Sequence, residues 1–120
     1  MVAPVDVAPL LRELYDAFNA RNVDLILTEL SPDVDWPNVW QGGRLHGHEQ
    51  VHAYWTQQFA EFHPQVEPRE VTRRPDGRVA VAVHQTVRGL DGTLLSEADL
   101  IHVYTFEDGL IRRMDVEEPA

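Results

Sequence analysis

The chain has 120 residues, 43% of them hydrophobic and 25% charged, a composition that fits one globular domain with room for a core. Twenty acidic against ten basic residues leave a net charge of −10, which repels phosphate backbones and anionic headgroups, so no nucleic acid and no membrane is an expected partner. With no cysteine there is no disulfide framework, no thiol catalysis and no cysteine-based zinc site.

In chain order, the opening segment MVAPVDVAPLLRELYDAF lacks a basic region followed by an apolar one, as a signal peptide would have. No apolar run anywhere approaches the ~20 residues of a bilayer span, so a cytoplasmic location is expected. Leu11, Leu14, Tyr15 and Phe18 recur at i, i+3, i+4 and i+7 and predict an amphipathic helix over 7–21, with Asp6 as its cap and Pro9 in its first turn. Asn22 can cap a short second helix, VDLILTEL, which Ser31-Pro32 stops. DVDWPNVWQGG reads as a brief strand and a loop. Val51, Tyr54, Trp55, Phe59 and Phe62 then define a third helix over 47–62, ended before Pro64.

Beyond that point the period changes from helical to alternating. QVEPREVTRR, RVAVAVHQTVRG, TLLSEADLIHVYTF and LIRRMDVEE predict four antiparallel strands, separated by the turn sequences PDG, GLDG and EDG. Helices followed by a meander define an α+β domain spanning residues 1–120, without repeats or linkers. A strongly curved sheet wrapped on the helices would leave a hollow suited to a small molecule.

The order of elements resembles the cone of nuclear transport factor 2 (the NTF2-like fold): three N-terminal helices packed in a strongly curved antiparallel sheet. The stretches that carry the resemblance are LLRELYDAFNARNVDLI, SPDVDW, RLHGHEQVHAYW and DLIHVYTFEDGLIRRMDV, together nearly the whole chain. That superfamily includes ketosteroid isomerases, SnoaL-type polyketide cyclases and limonene epoxide hydrolases. Laid over this sequence, the ketosteroid isomerase pattern puts Asn38 where those enzymes carry their general-base aspartate. It puts Leu14, beside Tyr15, at the oxyanion tyrosine, and His102 at the protonated aspartate. An amide cannot take a proton from carbon at neutral pH and leucine cannot donate to an enolate, so a true ketosteroid isomerase is not expected.

His48-Glu49-Gln50-Val51-His52 matches H-E-x-x-H, in which two histidines on one helix face hold zinc and the glutamate acts as base. The continuation found in metzincins would put glycine at Trp55 and histidine at Gln58, and both differ. The family resemblance places a glycine turn, a basic residue and a glutamate here without any metal, so neither a metal nor another cofactor is expected.

The resemblance marks His102 and Asn38 as candidate catalytic residues. By alternation His102 shares a face with Ala98, Leu100, Tyr104 and Phe106, where a partly buried imidazole could serve as acid or base. Asn38 would orient a carbonyl or a water, although in WPNV a turn residue is the plainer reading. Leu14, Trp36, Trp40, Trp55, Phe59, His84 and Met114 are the candidate ligand-binding residues. His84 is included because Ala80 and Ala82 leave space on its face. The opposite face of that strand, Val79, Val81, Val83 and Val87, is then free for a homodimer through the sheet. Asp35 and Asp99 could act as a base or orient a histidine, with Arg113 as an alternative partner for Asp99. The expected function is binding of a small hydrophobic molecule by a SnoaL-like protein, with isomerisation, cyclisation or hydration as the chemistry open to it. The alternative is a non-catalytic dimerisation domain with a filled cavity.

Overall fold

Apolar periodicity and turn chemistry together set the architecture. The computed structural model describes residues 7–39 and 41–119. Helix α1 (Ala8–Asn19) buries Leu11, Leu14, Tyr15 and Ala17, the stripe predicted from spacing. Val7 stands at its N-cap without a side-chain cap, and Asp6 lies outside the described residues. Helix α2 (Val23–Thr28) is capped as expected: the Asn22 side chain accepts a hydrogen bond from the Leu25 amide at 3.2 Å. Helix α3 (Gly47–Glu61) buries Val51, Trp55 and Gln58. Gly47 takes φ +81°, a left-handed turn that carries the chain from strand into helix and that a side chain would strain.

Strands β1 (Leu30–Pro37), β2 (Arg44–His46), β3 (Phe62–Arg73), β4 (Val79–Gly89), β5 (Leu94–Glu107) and β6 (Leu110–Glu117) form one curved sheet in the order β2-β1-β6-β5-β4-β3. The meander from β3 to β6 is antiparallel as predicted, and β1 joins β6 in parallel. Two features differ from the sequence expectation. β1 starts at Leu30, inside the expected second helix, because Leu30, Val34 and Trp36 alternate into the core; exposed Pro32 and Asp33 fall where its pairing with β6 shifts register. β3 starts at Phe62 and carries Pro64 and Pro68, tolerated because β3 is an edge strand and Pro68 borders a bulge.

The exposed edge of β3 is met by α1. Asn19 donates from its amide to the Val66 carbonyl and accepts from the Val66 N–H, both at 2.9 Å, so one side chain imitates a neighbouring strand.

Alternation then sorts the faces. Val79, Val81 and Val83 of β4 are buried in the core with the helices, while Ala80, Ala82 and His84 lie on the outer face. This reverses the sequence assignment: the valine face, expected to meet a second copy, is the core face. The small residues leave His84 outside. Among the described residues no helix is long and apolar enough to cross a membrane.

Candidate functional site

Between α1, α3 and the inner face of the sheet lies a cavity of about 320 Å³. Its wall is mainly apolar, and Leu14, Trp36, Trp55 and Met114, ligand-binding candidates from the sequence, lie in it. Among the described residues no Asp, Glu, Lys or Arg lines it, although the chain carries 30 of them.

The polar pole is built by α1 and β5. His102 and Tyr104 are two apart on β5 and therefore face the same way, and Tyr15 reaches them from α1. The Tyr15 hydroxyl lies 3.0 Å from His102 Nδ1 and 2.7 Å from the Tyr104 hydroxyl. Burial governs the electrostatics of all three. It pushes the His102 imidazole down to about 4 and raises both phenols well above the usual tyrosine range, so every member is uncharged at neutral pH. Gln58, Gln85, Ser96 and Tyr54 add further hydrogen-bonding groups to the lining. Burial pushes Tyr54 up to about 12, opposed by hydrogen bonds from the Val39 backbone and the Gln58 side chain.

Other candidates fall elsewhere. Asn38 lines a separate cleft on the far side of Tyr54 and Gln58, not the cavity. Its side chain accepts from the Gln41 amide at 3.1 Å, and its backbone exchanges hydrogen bonds with Gly42 and Gly43, so it is a turn residue. Phe59 stands one layer back, packed on Trp55 and Phe18. Trp40 lies outside the described residues. His84 sits on the outer sheet face between Asp99 at 2.7 Å and Glu97 at 2.6 Å, which raise its pKa. Asp99 therefore pairs with His84 and Arg69 rather than with Arg113.

Asp35 also faces away from the cavity. Arg44 holds it at 2.6 Å and Arg113 at 2.8 Å, and both arginines reach Asp115. The cluster ties β1, β2 and β6 together on the outer face. In the H-E-x-x-H segment, His48 donates from Nε2 to the Leu30 carbonyl at 2.9 Å, which fastens α3 to β1. His52 is half exposed and lies 3.9 Å from Asp24. The motif thus carries a structural histidine and a surface one.

Sequence reasoning put Leu14 rather than the adjacent Tyr15 at the site and gave Tyr104 no role. The signal for both was present: Tyr15 belongs to the buried stripe of α1, and Tyr104 shares the His102 face. The pairing of the two hydroxyls across 89 residues was not accessible from spacing.

An α+β cone with an uncharged, hydrogen-bonding pole in an apolar interior defines the class. The chain belongs to the SnoaL-like domain family, whose model matches residues 11–114. Solved structures share the fold. TerC, co-crystallised with polyporic acid, is 26% identical over 92% of this chain and 89% of its own, with a TM-score of 0.77. An NTF2-like protein of unknown function from Burkholderia pseudomallei is 25% identical over 92% and 88%, with a TM-score of 0.78. A putative polyketide cyclase from Sinorhizobium meliloti is 21% identical over 91% and 94%, with a TM-score of 0.76. No curated protein is a significant sequence match.

Proposed function

We propose that this protein binds a small, uncharged, largely apolar organic molecule in the cavity and acts on it through His102, by isomerisation, cyclisation or hydration. The observation that carries this reading is the buried Tyr104–Tyr15–His102 chain at the wall of a cavity that no charged residue lines among those described. Polar groups are costly to bury unless hydrogen-bonded, and a bonded chain ending beside open space suits recognition of a ligand oxygen. TerC, co-crystallised with polyporic acid, supports an organic ligand in this fold. The open cavity speaks against an interaction domain with a filled interior.

Native mass spectrometry of the purified protein, before and after denaturation, tests binding directly. An organic molecule released on unfolding is the expected result, and Ala98→Trp, placed at the cavity wall, should abolish its retention. A protein that carries nothing and takes up nothing from a panel of aromatic ketones and quinones sinks the proposal. Once a substrate is in hand, His102→Ala should lower turnover by about 100-fold or more. Unchanged turnover would remove His102 from the chemistry.

A further inference from the structure

We infer that His102 presents a protonated Nε2 to the cavity, fixed by a directed chain from Tyr104 through Tyr15 to Nδ1, and that the site therefore selects ligands bearing a carbonyl-type acceptor oxygen. This rests on the cavity being a small-molecule site.

The direction follows from counting protons. Tyr104 is 1% exposed, and its hydroxyl has no hydrogen-bond partner among the described residues other than Tyr15, at 2.7 Å. Were Tyr15 to donate to it, the Tyr104 proton would be left without a protein acceptor among the described residues, which costs roughly 1–3 kcal/mol in a buried setting. With Tyr104 donating, its proton is used, and the Tyr15 proton is free to go to His102 Nδ1 at 3.0 Å. Nδ1 must then offer a lone pair. A neutral imidazole has one N–H, which is left on Nε2.

Nε2 has no partner among the described residues, yet it is not one of the buried unsatisfied atoms; Trp55 Nε1 is. It therefore keeps accessible surface, on a residue that lines the cavity. A hydroxyl or amine proton brought to that point would meet another donor. A carbonyl, quinone or ether oxygen would be matched. Tyr15 is thus a positioning residue, which acts by setting the tautomer of His102, while His102 touches the ligand.

Two-bond proton–nitrogen correlation spectra of the ¹⁵N-labelled, unliganded protein near pH 7 read the tautomer. Nε2 should be the protonated nitrogen in wild type and in Tyr104→Phe, where Tyr15 still donates. Tyr15→Phe should give a mixture of tautomers. The binding arm uses 9-fluorenone and fluorene, which share a frame and differ by the carbonyl. Wild type should favour the ketone by about tenfold, the worth of one good hydrogen bond, and Tyr15→Phe should narrow the gap to below about threefold. A wild-type imidazole protonated on Nδ1, or equal affinity for the two probes, overturns the inference alone. Failure of both probes to bind overturns the inference, and with nothing retained or taken up in native mass spectrometry it overturns the small-molecule reading as well.

Discussion

Two histidines on neighbouring strands have been moved in opposite directions, and the sign of each shift has a measurable result. Burial holds His102 at about 4, below its unfolded value of roughly 6.5, so the unfolded chain takes up the proton first. The stability this neutral histidine supports is complete above about pH 6.5 and is lost as pH falls toward 4, on the order of 3 kcal/mol in all. His84 behaves in the reverse sense. Hydrogen bonds to Asp99 and Glu97 raise its pKa, so its contribution is complete below about pH 6.5 and fades as pH rises through the folded value. Urea titrations of wild type from pH 4 to 8 should show the acid-side slope. His102→Gln should flatten the slope below pH 6.5, and His84→Gln should flatten only the alkaline side. An unchanged acid limb in His102→Gln would mean that the imidazole is not held neutral.

The elements legible in the sequence were those whose period persists over several turns or alternations. α1, α3 and the strands β4 to β6 emerged with bounds close to those seen, because each combines a recurring apolar period with turn or breaker residues at its ends. The three-residue β2 was not legible, since Arg44 to His46 has no period to detect. β1 was cut short because proline was taken as a stop, whereas at a register shift its missing N–H costs nothing. For β4 the periodicity was correct and the side was not: both faces are apolar enough to be core, and only the helices decide. That error carried His84 into the expected site. The edge of β3 has its own test. Asn19→Ala removes both hydrogen bonds to Val66 and should cost about 1–2 kcal/mol in urea unfolding. Asn19→Asp, which keeps an acceptor for the Val66 N–H but loses the amide donor, should be similarly or more destabilised. If neither variant moves the midpoint, the contact does not hold the edge.

At the scale of the whole molecule, charge and site are separated. A net charge of −10 is carried largely on the exterior and in clusters such as Asp35–Arg44–Arg113–Asp115, while among the described residues no carboxylate, lysine or arginine lines the cavity. Affinity for an uncharged ligand should therefore change by less than about twofold between low and high salt, because screening acts on exposed charges and not on neutral hydrogen bonds. Titration of 9-fluorenone at several ionic strengths checks this, and a steep salt dependence would require a charged group at the mouth. Trp36 and Trp55 stand in the cavity wall with ring centroids 6.2 Å apart. Two indoles at that spacing form an optical probe built into the fold: an aromatic occupant laid against them would alter both their emission and their excitonic dichroism. The protein can thus serve as its own sensor in a label-free screen, with ultraviolet light as the only reagent added besides the compound.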